Sequence, residues 1–133
     1  MRSGPPAEVL WAVKRRPLSD AAVRRIVASA LRHGRRPGLA VAVVFVSDRR
    51  LARLHAEHLG DPRPTDVMVF DLAGVGRGPQ AELYVSVDRA RTEARERGLA
   101  LEQELALYVV HGCLHLCGYD DRRARQRAAM RVA

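Results

Sequence analysis

The apolar segment at residues 39–46 constrains the fold of this chain more than any other feature. Its letters, LAVAVVFV, are rich in β-branched residues and include no polar position. A strand of this kind has no face suited to water, which predicts a sheet strand covered on both faces. No apolar run approaches the ~20 residues that a transmembrane helix needs. The segment therefore predicts a layered protein with a sheet at its centre.

Shorter strands and helices are predicted on either side of this segment. Polar residues that can cap a helix precede three amphipathic stretches, and Gly98 and Gly118 follow two helical ones. Strands are predicted at about residues 8–13, 39–46, 67–72 and 82–87, and helices at about residues 20–33, 48–59, 88–97, 101–116 and 122–130. This order predicts an α+β or α/β fold, a sheet of about four strands packed with about five helices.

Length and composition place these elements in one domain. The chain has 133 residues, of which 47% are hydrophobic and 29% charged, enough for a core and a charged surface. The apolar stretch near the N-terminus is interrupted by Lys14, Arg15 and Arg16, whereas a secretory signal needs a longer apolar core. We therefore expect a single cytoplasmic domain over residues 1–133, without a membrane partner.

Basic charge is concentrated in the first half of the chain. The net charge is +8, and residues 14–53 alone contain eleven basic and two acidic side chains, all the basic ones arginine except Lys14. The planar guanidinium of arginine can donate two hydrogen bonds to one phosphate, so this distribution favours a polyanion partner. A solvated face in an arginine-rich proteome is the alternative. Because aromatic residues are sparse, any contacts to a nucleic acid should fall mainly on backbone phosphates.

The segment HGCLHLCGYDD at residues 111–121 contains the residues best suited to chemistry. His111 and His115 are separated by four positions, which turn ~400° on a helix, so both imidazoles project from one face. Gly118 permits a chain reversal that can bring Asp121 back toward them. Two imidazoles and a carboxylate around one open position are typical of a catalytic zinc site. The alternative is a pair of hydrogen-bonded core histidines.

Two neighbouring features limit which metal ligands and which reaction this segment can provide. Cys113 and Cys117 lie ~200° around the helix from the histidines, so they cannot share the same ion and are interpreted as buried thiols. A zinc protease of the H-E-x-x-H type has its general base where this chain has Gly112. Glycine transfers no proton, so the sequence excludes that mechanism.

The same segment resembles the signature of the YbeY family of endoribonucleases, H-G-x-L-H-L-x-G-Y-D-H. It departs only at the last position, where the family's histidine falls on Asp121. Upstream, PTDVMVF at residues 64–70 resembles the family's P-T-D-V-L-S-F, and residues 82–86 resemble its G-E-I-x-I-S strand. The similarity spans about residues 51–121 and keeps the order and spacing of the motifs.

This resemblance implies a single YbeY-like metal-dependent hydrolase domain over residues 1–133. The implied fold is α+β with a mostly parallel four-stranded sheet and the metal site on a helix and its following turn. The implied activity is that of a zinc-dependent, single-strand-specific endoribonuclease. The implied role is rRNA processing, notably of the 3′ end of 16S rRNA, and ribosome quality control, with RNA and ribosomal particles as partners. One Zn²⁺ per chain is the implied cofactor.

Departures from the family pattern change the expected site. Asp121 in place of histidine lowers the net charge of a zinc site from +2 to +1, which should leave a coordinated water somewhat less acidic. A basic residue often found in the upstream helix–loop region falls on Leu59, an asparagine on His55 and a serine on Val69. Another arginine must then replace the missing basic residue, or the activity is reduced.

Other polar residues are weaker candidates for roles at this site. Asp66 fits a turn or outer support of the ligands, and Asp120 is a weak candidate for proton transfer, so the catalytic acid and base stay unassigned. Arg122, Arg123 and Arg125 follow the motif and either bind RNA phosphates or solvate a terminal helix.

Three other functions remain open from the sequence. The chain could be a ribosome-associated RNA-binding factor with a structural metal, or a metallohydrolase of another substrate. Two histidines and a carboxylate also suit non-haem Fe(II), although such ligands typically lie on the strands of a barrel.

Overall fold

The computed structural model describes residues 7–59, 67–72 and 79–118. In chain order these contain four strands and four helices: β1 (Glu8–Trp11), α1 (Asp20–His33), β2 (Val41–Val46), α2 (Asp48–Leu59), β3 (Val67–Asp71), β4 (Ala81–Ser86), α3 (Val87–Arg97) and α4 (Leu101–Leu116). The predicted α+β class is confirmed. The predicted fifth helix, at residues 122–130, lies outside the described residues.

The strands form one mixed sheet in the order β1–β2–β4–β3. β2 pairs in parallel with both β1 and β4, whereas β3 pairs with β4 in the antiparallel direction. The prediction of a mostly parallel sheet therefore holds for two pairings and fails at β3. The connection from β3 to β4 is nine residues long, shorter than the dozen or more residues that a parallel crossover needs, so the chain returns antiparallel.

Helices cover the two faces of the sheet unequally. α1 and α4 pack on one face and enclose the main core, whose fully buried members include Phe45, Leu83 and Val109. α2 packs on the other face over a smaller cluster around Leu51 and Met68. As predicted from residues 39–46, β2 is buried on both faces, with Ala42 and Val43 at 2% and 0% exposure. No helix within the described ranges is long and apolar enough to cross a membrane.

Polar caps define where the helices begin and end. The hydroxyls of Ser19 and Ser86 accept hydrogen bonds from the amides of Ala22 and Arg89, each 3.0 Å away. At the other end of α3, Gly98 adopts a left-handed conformation with φ of 68°, which costs glycine little. These caps confirm the predicted starts of α1 and α3 and the predicted end of α3, and they place α4 directly after that turn.

Candidate metal centre

α4 presents one buried face and one exposed face. Leu105, Tyr108, Val109 and Leu116 are buried against the sheet and neighbouring helices, at the spacing of three and four residues that one helix face requires. His111 and His115 both lie on the exposed face. The prediction that the two imidazoles share one face is confirmed, and the alternative of a buried core pair is wrong.

Gly112 brings α4 close to the sheet between the two histidines. A Cβ atom at this position would lie 3.0 Å from both Leu83 methyl carbons and 3.2 Å from Cγ1 of Val67. Leu83 is fully buried in β4, so even a Cβ atom at position 112 would require a shift of a few tenths of an ångström in the packing. A glutamate side chain at this position, where a protease of that type has its general base, would run into the sheet. This gives a steric reason for the glycine.

The end of α4 leads the chain into the turn that the sequence predicted. The amide of Cys117 donates to the carbonyls of Cys113 and Leu114, and the amide of Gly118 donates to the carbonyl of His115 at 3.0 Å. Gly118 has φ of 99°, a conformation that L side chains rarely adopt. The predicted requirement for glycine at this turn is confirmed.

Several candidate residues lie outside the part of the chain that the structure describes. These are the predicted third ligand Asp121, the acids Asp66 and Asp120, and the arginines Arg122, Arg123 and Arg125. Within residues 7–59, 67–72 and 79–118, no group of three histidine, cysteine, aspartate or glutamate side chains is placed to hold a metal ion. The described part of the site therefore consists of His111 and His115, and the role of Asp121 stays a prediction.

Arg36 fixes the end of the helix that carries the histidines. Its Nη1 donates a 2.6 Å hydrogen bond to the backbone carbonyl of Leu116 and lies 3.7 Å from a carboxylate oxygen of Asp71. The bond joins residues 80 positions apart in the chain, so no local pattern could have revealed it. A cation at a helix C-terminus also interacts favourably with the helix dipole. Arg36 thus holds the last turn of α4 against the end of β3.

Gly34 allows α1 and α4 to meet at the same place. A Cβ atom on Gly34 would clash with Sγ of Cys117 and lie 2.6 Å from its Cβ. Gly34 is the C-cap of α1, and its amide donates to the carbonyl of Ala30. The ends of both helices and the following turn at residues 34–38 therefore form one packed corner beside His115.

Removal of the Arg36 side-chain donor should loosen this corner. We expect Arg36→Met to reduce the free energy of unfolding by ~1–2 kcal/mol, as loss of a part-buried hydrogen bond does, and to accelerate amide exchange at residues 115–118. Arg35→Met, at an exposed neighbouring residue, is the control. Urea denaturation and hydrogen–deuterium exchange measure both effects, and equal exchange in the two variants would contradict the proposed role of Arg36.

The cysteines of α4 lie away from the histidine face. Cys113 is fully buried in the main core, Cys117 is half-buried, and both are free thiols. Burial, with a smaller contribution from Cys117, raises the pKa of the Cys113 thiol to about 12. Burial also raises the pKa of Cys117, and the nearby Arg36 guanidinium partly opposes this. The interpretation of Cys113 as a buried thiol is confirmed, and Cys117 is only partly buried.

These pKa values predict slow alkylation of the folded protein. The thiolate is the reactive form, and a raised pKa makes it scarce below pH 9. We expect iodoacetamide at about pH 8 to leave Cys113 unmodified and to modify Cys117 more slowly than a free thiol. In denaturing urea both should react at the ordinary rate. Peptide mass spectrometry resolves the two sites, and rapid labelling of native Cys113 would contradict its burial.

The family departures at His55 and Val69 lie on elements other than α4. His55 is part of α2, which packs on the opposite face of the sheet from α4. Val69 is a partly buried residue of β3 packed against the main core. Neither lies on α4 beside the histidine pair.

Comparison with known proteins agrees with the motif and with the fold. The family model described as Endoribonuclease YbeY matches residues 12–133. The chain belongs to the YbeY family. Endoribonucleases YbeY from Chloroherpeton thalassium and Bacteroides thetaiotaomicron are 31% and 32% identical over 85% and 84% of this chain and 79% and 77% of their own lengths. Membership in this family implies a nuclease that acts on RNA.

Two further known proteins match different shares of this chain. The Endoribonuclease YbeY of Wolinella succinogenes is 40% identical over 60% of this chain, a match that covers 57% of that relative. The solution structure of TM1509 from Thermotoga maritima superimposes with a TM-score of 0.62 at 26% identity, over 90% of this chain and 80% of that one. The YbeY family resemblance inferred from residues 111–121 is thereby confirmed.

Proposed function

We propose that this chain is a zinc-dependent endoribonuclease that cleaves single-stranded RNA during rRNA processing, including maturation of the 3′ end of 16S rRNA. The observation that carries the proposal is the position of His111 and His115, exposed together on one face of α4 and one turn apart. Family membership supports RNA as the substrate. A cytoplasmic location, ribosomal particles as partners and a role in ribosome quality control belong to the same proposal.

The donor set fits one Zn²⁺ per chain. Imidazole nitrogens are common zinc ligands, and the His111 and His115 side chains are exposed to solvent rather than buried in the core. The positive φ of Gly118 permits a reversal of the chain. The carboxylate of Asp121 would then complete a set of three protein ligands. When bound, the ion would lower the pKa of a water and polarise a phosphoryl oxygen.

The remaining roles fall to side chains of this protein. His111, His115 and Asp121 would hold the ion and leave one position open to the substrate. Arg122, Arg123 and Arg125 would contact phosphates of the RNA backbone and offset its negative charge. Asp120 is a candidate for proton transfer because it precedes the predicted ligand directly, and no residue is assigned as the general acid.

The packing around Gly112 argues against peptide hydrolysis. A protease of the H-E-x-x-H type needs a glutamate at this position, where even the Cβ atom would lie 3.0 Å from Leu83 and 3.2 Å from Val67. RNA hydrolysis does not depend on that residue type. The steric environment thus favours the nuclease over a protease with the same histidine spacing.

A cleavage assay on matched RNAs tests this proposal. We expect purified protein to cleave a single-stranded RNA ending in the 16S 3′ sequence, to spare a duplex of the same sequence, to lose activity in EDTA and to regain it with Zn²⁺. A protein that binds this RNA but never cleaves it, with or without Zn²⁺, would contradict the proposal and favour a ribosome-associated factor with a structural metal.

A further inference from the structure

A groove between α1 and α4 lies next to the candidate metal centre. Its volume is about 490 Å³, within the ~300–1,000 Å³ range of small-ligand sites. The lining includes polar and apolar side chains of α1 and apolar side chains of α4: Arg25, Ile26, Ser29, His33, Val110 and Leu114. Because the groove is partly open to solvent, it can accept part of a longer polymer as well as a small molecule.

Along α4, the residues that line the groove lie directly beside the face that carries the two histidines. Val110 directly precedes His111, and Leu114 directly precedes His115. Consecutive helix residues differ by ~100° in direction, so each groove residue lies beside a candidate metal ligand. Leu107, an exposed apolar residue at 39%, lies along the same edge one turn earlier. A strand bound at the histidines can therefore continue directly into the groove.

The lining of the groove has two chemical parts. Ile26, Val110 and Leu114 provide an apolar floor. Arg25 and His33 are exposed at its rim, and neither makes a side-chain hydrogen bond or ion pair with another described residue. An apolar floor beside a free guanidinium suits a molecule with both a flat apolar surface and an anionic group.

The charge on the α1 side of the groove is almost entirely positive. Residues 20–38, which include α1 and the following turn, contain five arginines and one acidic residue, Asp20. That carboxylate accepts a 2.7 Å hydrogen bond from Nε1 of Trp11. No acidic residue is part of the groove lining. This distribution disfavours a basic protein segment as the occupant and favours a polyanion.

We propose that this groove binds one nucleotide of a single-stranded RNA next to the cleavage site, with the base on the apolar floor and an adjoining phosphate on Arg25. The inference rests on the proposed function, because it takes the histidine face as the place where the strand is cut. A base within a duplex is stacked and paired, so only an unpaired base can enter a groove of this kind. The groove thus supplies a physical basis for single-strand preference.

Binding measurements with charge-reversed variants test the groove. Fluorescence anisotropy of a labelled single-stranded oligoribonucleotide gives the affinity of the full-length protein, with a gel after each titration to verify intact RNA. Arg25→Glu is compared with Arg32→Glu, an exposed residue of the same helix outside the groove. The two variants have the same net charge, so a general electrostatic effect changes both equally.

We expect Arg25→Glu to weaken binding roughly tenfold, about 1.4 kcal/mol, and Arg32→Glu less than twofold. Arg25→Ala should lower the salt dependence of log K by ~0.7, the contribution of one phosphate contact on a single strand. A 4-thiouridine RNA should crosslink to peptides containing Ile26 or Val110. Unchanged affinity for Arg25→Glu, equal losses in the two charge-reversed variants, or no RNA binding by the wild-type protein would overturn the inference.

Two outcomes separate this inference from the proposed function. If the wild-type protein cleaves RNA while Arg25→Glu binds it normally, the groove inference fails and the nuclease proposal stands. If RNA binding depends on Arg25 but no form cleaves RNA, the groove stands and the nuclease proposal fails. Normal RNA binding by Arg25→Glu together with lost binding to a ribosomal protein would instead identify a protein-docking surface, which contradicts the inference.

Discussion

Replacing His115 with alanine should abolish RNA cleavage while leaving the fold intact. His115 is exposed on α4, so the substitution removes a candidate ligand without creating a cavity in the core. Loss of a residue that only hydrogen-bonds to a metal ligand typically reduces metal affinity or activity ~10–100-fold. Loss of a ligand itself should therefore reduce the cleavage rate more than ~100-fold. His111→Ala should behave in the same way for the same reason.

His55→Ala is the matched control for these variants. It removes an imidazole from α2, on the opposite face of the sheet, and should retain cleavage within a few-fold of the wild-type rate. Circular dichroism and thermal melting establish that all three variants are folded. Wild-type cleavage rates in both His111→Ala and His115→Ala would show that neither histidine takes part in the reaction.

Replacing Gly112 with glutamate should destabilise the protein more than any exposed substitution on α4. The new side chain would enter the contact between α4 and the sheet, where even a Cβ atom lies 3.0 Å from Leu83. An uncompensated buried carboxylate costs ~3–5 kcal/mol, so we expect a loss of at least ~3 kcal/mol in the free energy of unfolding. The variant therefore has the histidine–glutamate spacing of a protease helix but should unfold at a much lower urea concentration than the wild type.

Two further variants separate steric crowding from charge. Gly112→Ala adds only the Cβ, so an overpacking cost of ~1–3 kcal/mol is offset by the ~1 kcal/mol that alanine contributes to a helix. Leu107→Glu adds the same charge at an exposed position of α4 and should change stability by less than ~1 kcal/mol. Urea denaturation followed by circular dichroism measures all three, and a wild-type midpoint for Gly112→Glu would contradict the close packing.

Local patterns in the sequence predicted most of the helices and strands. The bounds of α4 agree with the predicted helix at residues 101–116, because its apolar periodicity is long and Gly118 follows it. Ser19 and Ser86 lie at the predicted starts of α1 and α3 because their hydroxyls satisfy free amides there. Such interactions join residues three or four positions apart, so they are visible in a single sequence.

Contacts between distant residues could not be read in the same way. The antiparallel direction of β3 follows from its short connection to β4 and not from the composition of the strands, which indicates strands without their direction. The bond from Arg36 to Leu116 and the packing of Gly34 on Cys117 both join α1 or its turn to the end of α4. In the sequence Arg36 was one arginine of a basic region, and only the tertiary structure distinguishes it from its exposed neighbour Arg35.

The candidate site was predictable to the extent that it depends on one helix. The spacing of His111 and His115 predicted a shared face, and the structure places both on the exposed side of α4. The apolar floor and basic rim of the groove combine α1 and α4, so spacing along the chain could not reveal them. Asp121 was proposed from chain reversal after Gly118, and its part in the site remains a prediction.

The metal content of purified protein tests the central claim most directly. Elemental analysis of protein prepared without a metal-binding tag should find one zinc per chain in the wild type and in His55→Ala. His111→Ala, His115→Ala and Asp121→Ala should each retain only a small fraction of that zinc while remaining folded. Full zinc occupancy in all three of these variants would contradict the assignment of His111, His115 and Asp121 as ligands of a common ion.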